Sequence, residues 1–245
     1  MRRRFFVEQF DGDSAVMEGE AAHHLGRVLR AELGQVYELS DGNRVWLARV
    51  EEVKRDRIGF SLVEEVLVEQ PSLQTTLLLS IVKFDAFEFA LEKATELGMC
   101  AIVPLAAARS EKALLTAAPK RAERWKKILL EAAQQSRRLR IPVLAPLAKP
   151  DVAFSARSES QKILLSERPD APSLRNLLEG TSAKSPTVAA VLAIGPEGGW
   201  TDDEFGFARQ HGLCEASLGR LILRTETAVI AALASLNYAL SRQES

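Results

Sequence analysis

Two glycine-bearing stretches toward the C-terminus carry the residue types that chemistry on a small ligand needs. The first is IGPEGGW at residues 194–200, directly behind the apolar run at residues 188–194. Three glycines and a proline at the carboxyl end of a strand make a tight turn with little side-chain bulk, so backbone amides can come close to a ligand. In open α/β sheets ligands bind beyond those strand ends. Thr201, with Glu204 three residues on, reads as a capping box opening a helix over residues 202–211. A purely structural turn ahead of a helix accounts for the same residues. The spacing is neither the dinucleotide G-x-G-x-x-G nor the phosphate loop ending in G-K-[ST]. The second stretch is LGRLILRTETA at residues 218–228. Gly219 is a further close-approach point, and Arg224 stands beside Thr225, a candidate N-cap for the last helix. Glu226 falls in the first turn, where a carboxylate serves equally as a partner of the helix dipole. Ala228, Ala231, Ala232 and Ala234 make that helix thin enough for another backbone to pack closely, as a plain buried helix also would.

A third stretch concerns charge. Residues 120–140 hold eight basic side chains (Lys120, Arg121, Arg124, Lys126, Lys127, Arg137, Arg138 and Arg140) against Glu123 and Glu131, a local charge of +6 in a chain of net charge −1. Near-neutrality overall means that any attraction to nucleic acid is local, since phosphate contacts need clustered Lys and Arg. Trp125, Ile128, Leu129 and Ala132 form the buried stripe of that helix, and its tail, EAAQQSRRLRIP at residues 131–142, gathers amides, a hydroxyl and arginines suited to a base edge and a phosphate. The two cysteines, Cys100 and Cys214, sit in apolar runs far apart, which predicts buried, reduced thiols. With three histidines and no C-x-x-C, no metal site is expected. The basic start MRRRFF is followed by acidic residues rather than an apolar core, and no apolar run reaches spanning length, so a soluble, cytoplasmic protein is expected.

The elements that must position these residues fall into two rhythms. Up to about residue 70 the chain alternates short strand candidates at residues 3–8, 15–17, 35–39, 45–50 and 58–63, with one helix at residues 20–30 whose Leu25, Val28 and Leu29 share a side. Asp41, Gly42 and Asn43 between two strands predict a hairpin. Short strands with close turns suggest a small barrel. Beyond Gln70-Pro71-Ser72 come apolar runs at residues 77–82, 100–105, 143–147, 163–165 and 188–194, separated by helical spacing. That alternation predicts a mainly parallel sheet covered by helices on both faces. Two domains are expected, 1–71 and 72–245, with an ordinary surface loop near residues 181–186.

Taken together, IGPEGGW with Glu204, LGRLILRTETA, EAAQQSRRLRIP and LEKATELG (residues 91–98) resemble the bacterial 16S rRNA uracil-N3 methyltransferases, the RsmE family of the SPOUT superfamily. HHLGRVLR at residues 23–30, with Gly34, resembles that family's PUA-like RNA-binding barrel. The resemblance spans nearly the whole chain.

It implies an α/β SPOUT domain with a deep C-terminal trefoil knot, an N-terminal PUA-like barrel, a homodimer, and S-adenosylmethionine as cofactor. Three loops would hold that cofactor: Leu165, Ser166 and Glu167; then Ile194, Gly195, Pro196, Gly198 and Gly199; then Leu218, Gly219, Leu223 and Thr225. The substrate implied is 16S rRNA or the small subunit, met by Arg2, Arg3, Arg4, Arg27, Arg30, Lys126, Lys127, Arg137 and Arg138. Uracil N3 carries a proton and lies on the pairing edge, so the base must be unpaired and its anion generated or stabilised. Glu197 is the candidate base, and Arg138 or Arg224 the candidate cation. Two alternatives share these features: a SPOUT enzyme acting on a ribose 2′-hydroxyl or a tRNA base, and a non-catalytic ribosome-assembly factor.

Overall fold

The computed structural model of the chain describes residues 3–179 and 187–241, so Arg2 and the loop at residues 181–186 lie outside the described residues. Two compact units emerge: Met1–Gln70 together with Ala133–Ile141, and Pro71–Ala132 together with Pro142–Ser245. Residues 133–141 group with the first unit although nothing in their composition marks a domain crossing.

The first unit contains β1 (Arg4–Phe6), β2 (Phe10–Asp11), β3 (Ser14–Glu18), α1 (Gly19–His23), a π-helical turn at His24–Val28, β4 (Val36–Ser40), β5 (Val45–Val53) and β6 (Arg57–Val66). The strand order is β1-β4-β5-β6-β3-β2. Chain length forces this sheet to curl. A flat six-stranded sheet would set its edges about 24 Å apart, yet β1 and β2 are joined by only three residues, and the step from Phe6 to Phe10 reaches about 14 Å at most. Curling closes a core of Phe5, Leu25, Leu39, Ile58 and Phe60. The expected hairpin joins β4 to β5: Asp41 Oδ1 accepts from the amides of Asn43 and Arg44 at 2.8 and 2.7 Å, and Gly42 takes a φ of +87°. The expected helix is present only in part. Leu25 is fully buried, but Val28 is exposed, because the π turn (Leu29 N–H to His24 C=O) widens the helix and rotates Val28 off the apolar side.

The second unit contains β7 (Leu73–Ser80), α2 (Phe84–Glu96), β8 (Ala101–Leu105), α3 (Lys112–Gln135, whose last residues belong to the first unit), β9 (Val143–Leu144), α4 (Pro150–Ser155), β10 (Gln161–Leu165), α5 (Leu174–Glu179), β11 (Val188–Ile194), α6 (Asp202–Gln210), β12 (Cys214–Ala216) and α7 (Thr225–Leu240). Its sheet runs β12-β10-β11-β7-β8-β9 with every pair parallel. Alternation along the apolar strands feeds two cores. Leu77, Leu79, Leu192 and Ile194 pack on one face with Phe87, Trp125, Leu233 and Leu236. Leu78, Val191 and Ala193 pack on the other with Phe154, Phe205 and Ala208. This is why these strands read as continuous apolar runs.

The LEKATELG motif resolves into the end of α2. Gly98 (φ +89°) closes the helix, and Asn237 Nδ2 donates to the orphaned carbonyl of Leu97 at 2.7 Å. Of the alanines of α7, which packs on α2, Ala232 is fully buried within the chain, Ala228 and Ala231 are half-buried, and Ala234 is exposed. In the basic stretch, Trp125, Leu129 and Ala132 are buried and Ile128 is half-buried, as the spacing predicts. Part of its charge is spent internally: Glu88 accepts from Arg124 at 2.7 Å and pairs with Arg121 at 3.4 Å, and Arg121 lies over Phe84. The cysteines correct the expectation of buried thiols. Cys100 is half-buried, and Cys214 is exposed because it opens β12, an edge strand.

Candidate functional site

The order of the second sheet sets the position of the site. The chain lays β7, β8 and β9 outward in one direction, then returns so that β11 pairs with β7 and β10 flanks β11. Connections diverge at that reversal and leave a crevice beyond the carboxyl ends of the strands. There, residues 165–169 after β10, residues 194–200 after β11 and residues 217–225 after β12 line a pocket of about 650 Å³, a size typical of cofactor sites.

Each loop has a local cause. The β11 loop folds as a turn, with Gly199 N–H donating to Pro196 C=O at 2.8 Å and Gly199 at φ +70°, which leaves Glu197 and Gly198 at its exposed tip. Trp200 folds back beneath that turn: its indole N–H donates to Leu165 C=O at 2.9 Å. A Cβ on Gly195 would stand 3.1 Å from the indole, so any side chain there would have to push the Trp200 ring aside by a few tenths of an ångström. Thr201 and Glu204 form the expected capping box of α6. The same Glu204, 4% exposed, accepts the amide of Ala108 at 2.8 Å, tying the β8–α3 loop to the helix start.

All twelve expected cofactor residues line this one pocket, namely Leu165, Ser166, Glu167, Ile194, Gly195, Pro196, Gly198, Gly199, Leu218, Gly219, Leu223 and Thr225. Glu197 and Arg224 line it as well, whereas Arg138 belongs to the first unit and is not among the lining residues. Thr225 is the first residue of α7 and buried; the cap position falls on Arg224, whose extended backbone makes no side-chain cap.

Sequence reasoning missed Arg109 and Arg168. Arg109 Nη1 donates to Gly198 C=O at 2.7 Å, and a Cβ on Gly198 would meet the Arg109 side chain at 3.1 Å. The space a side chain at Gly198 would need is therefore already taken by an arginine of the protein. Arg168 pairs with Asp202 and lies over the Phe205 ring at 3.7 Å. No spacing signal marks either residue: Arg109 is distant in sequence from the loops that it joins, and its place depends on Glu204 holding its loop.

The expected RNA contacts separate by exposure. Arg3, Arg27, Arg30, Lys126 and Lys127 are exposed. Arg4 corrects the expectation. It is 5% exposed, and its guanidinium bonds Glu38 at 3.0 Å and the Arg137 carbonyl at 2.6 Å, which makes it an interior cation of the first unit. The alternation of β1 turns Phe5 into the core and Arg4 to the opposite face, which residues 133–141 cover.

A parallel α/β domain with a pocket at its switch point, carried on one chain with a curled six-stranded sheet, defines a small-molecule-binding enzyme domain with an accessory barrel. The chain belongs to the RNA methyltransferase family, matching the RNA methyltransferase domain over residues 68–237 and the RNA methyltransferase PUA domain over residues 18–62. Among its relatives, ribosomal RNA small subunit methyltransferase E of Synechocystis sp. is 37% identical, the match covering 88% of this chain and 70% of that protein. The protein of that name from Aquifex aeolicus is 30% identical, covering 92% and 95%. The crystal structure of ribosomal RNA small subunit methyltransferase E from Neisseria gonorrhoeae, bound to S-adenosyl methionine, superposes with a TM-score of 0.86 at 29% identity, covering 98% of this chain and 99% of that one.

Glu204 is expected to be a stability determinant of the site. Glu204→Ala leaves the amides of Thr201 and Ala108 unpaired, a cost of about 2–4 kcal/mol. Urea denaturation of the two proteins measures it, and a loss below about 1 kcal/mol would show that the carboxylate does not hold these amides.

Proposed function

We propose that this chain transfers a methyl group from S-adenosylmethionine to N3 of a uridine in 16S ribosomal RNA of the small subunit. The observation that carries the proposal is the convergence of the three loops after β10, β11 and β12 on one pocket, in a fold shared along nearly its full length with a relative bound to S-adenosyl methionine. The residues present suit that molecule. Leu165, Ile194, Leu218 and Leu223 offer apolar walls for an adenine, while Gly195, Gly198, Gly199 and Gly219 leave backbone groups accessible for the ribose and the amino-acid portion. Ser166, Glu167, Pro196 and Thr225 complete the lining. Bound there, the cofactor supplies a methyl group on a positively charged sulfur.

The remaining chemistry falls to this chain. Glu197, at the tip of its turn, accepts the N3 proton, and Arg224 at the start of α7 stabilises the uracil anion, with Arg109 a second cation on the same pocket. Arg3, Arg27 and Arg30 of the barrel, with Arg137 and Arg138, bind RNA phosphate, and Lys126 and Lys127 of α3 add further positive charge. The strand order, with β11 laid between β10 and β7, supports the deep trefoil knot of the SPOUT superfamily. Exposed Leu221, Ile222 and Tyr238, beside the pocket and on α7, support a homodimer. An rRNA substrate supports a cytoplasmic location, and no helix among the described residues is long and apolar enough to cross a membrane.

Incubating the protein with S-adenosylmethionine and small subunits or 16S rRNA lacking the modification, followed by nucleoside mass spectrometry, is expected to yield 3-methyluridine. A methylated ribose or a different base would overturn the assignment.

Gly198→Val drives a side chain into Arg109 and should weaken S-adenosylmethionine at least about tenfold, near 1.4 kcal/mol, with the fold retained. Unchanged affinity by calorimetry would remove the cofactor from this pocket.

Glu197→Gln keeps size and hydrogen bonding but accepts no proton. Turnover should fall by about a hundredfold, with cofactor and RNA affinities close to wild type. Near-normal turnover would leave Glu197 a structural role and assign the proton to water beside an arginine.

A further inference from the structure

The first unit contains a buried polar assembly that none of the methyl-transfer steps uses. Alternation along β4 sends Leu39 into the core and leaves Glu38 and Ser40 on the opposite face, where Arg4 of β1 lies beside Glu38. Polar residues on an outer face are ordinarily solvated. Here Glu38 is 3% exposed and Ser40 fully buried, because residues 133–141 lie across them.

The attachment is specific at each step. Glu38 takes the guanidinium of Arg4 on Oε2 and pairs with Arg137 through both carboxylate oxygens. Arg4 also donates to the Arg137 carbonyl at 2.6 Å. Ser40 Oγ donates to Leu139 C=O at 2.7 Å, and Arg140 reaches the Gly42 carbonyl and, at 3.0 Å, Asn43 Oδ1 in the β4–β5 turn. Arg137 adopts a left-handed backbone (φ +56°), which a non-glycine residue holds only when its surroundings enforce it. The backbone is set by the end of α3, where Arg138 N–H donates to Ala133 C=O at 3.0 Å with Arg137 as the left-handed residue between, and Glu38 fixes the side chain that emerges there. Its bidentate pairing occupies Nε and Nη2 of Arg137, yet 44% of that side chain remains open to solvent.

We infer that Glu38 is a positioning residue for RNA: it clamps the segment at residues 133–141 onto the barrel as an added element and orients Arg137 so that its free edge meets a phosphate. This rests on the RNA substrate proposed above. The carboxylate touches no RNA. It contributes by fixing the Arg137 side chain, and a guanidinium already paired on one edge engages a phosphate at little further ordering cost.

The test compares full-length wild type with Glu38→Gln, using amide hydrogen exchange, steady-state methylation of RNA at several salt concentrations, and calorimetry with S-adenosylmethionine. In Glu38→Gln the amides of residues 136–140 should exchange at least about tenfold faster while those of β5 and β6 keep their protection. KM for RNA should rise about tenfold with kcat changed little, and the salt dependence should flatten by about one unit of slope. Cofactor affinity should be unchanged. A double variant with Arg137→Ala should be no worse than the poorer single variant, since the two act as a unit. If Glu38→Gln proves too unstable to purify, Arg137→Lys leaves Arg4 and Glu38 paired, keeps the charge, loses the bidentate geometry, and should show the same rise in KM. Unchanged KM with a loosened loop would overturn the proposal, as would loss of protection across the whole barrel. A wild type that transfers no methyl group would remove the RNA reading itself, whereas an active wild type with an indifferent Glu38→Gln removes only the role of Glu38.

Discussion

The indole of Trp200 is the contact on which the candidate site depends. Its N–H donates to the Leu165 carbonyl where β10 ends, and its ring lies under the turn that follows β11, against Gly195. One side chain thus joins two neighbouring strand ends and forms the floor between their loops. The ring is 5% exposed and packs edge-on to Phe154, so it is anchored in the core on that face of the sheet. The other ties on these loops come from more exposed groups, Arg109 on the Gly198 carbonyl and Arg168 on Asp202.

The second layer of support is electrostatic. Glu204 closes the start of α6 and also takes the Ala108 amide, which brings the β8–α3 loop to the pocket and Arg109 onto the Gly198 carbonyl. A buried carboxylate that accepts three groups at once fixes geometry better than an apolar contact, because each lost bond leaves an unpaired donor. Parallel strands place all their carboxyl ends on one side, so the loops that line the pocket converge there while the side chains between them build the two cores.

Charge is distributed on the same plan. A net charge of −1 offers no general attraction to RNA, and several arginines are already paired with carboxylates of the chain, Arg121 and Arg124 to Glu88 at the surface and Arg4 to Glu38 in the interior. Among the cations left exposed are Arg3, Arg27, Arg30, Lys126 and Lys127. Within the first unit the same buried carboxylate pairs with both Arg4 and Arg137, joining β1, β4 and the segment at residues 133–141.

Two of the three pocket loops were legible in the residues themselves because each is a contiguous glycine-bearing stretch, while the loop after β10 followed only from the family resemblance. IGPEGGW, LGRLILRTETA and the capping pair Thr201 and Glu204 state their backbone requirements locally, and the continuous apolar strands announce a sheet buried on both faces. Arg109, the burial of Arg4, the grouping of residues 133–141 with the barrel and the exposure of Cys214 were not legible. Each depends on a partner far away in the chain: Glu204 lies 96 residues from Ala108, and Glu38 lies 99 residues from Arg137. Local spacing encodes dihedral angles and the face on which a side chain emerges, whereas what covers that face is decided only when distant segments meet in the folded protein.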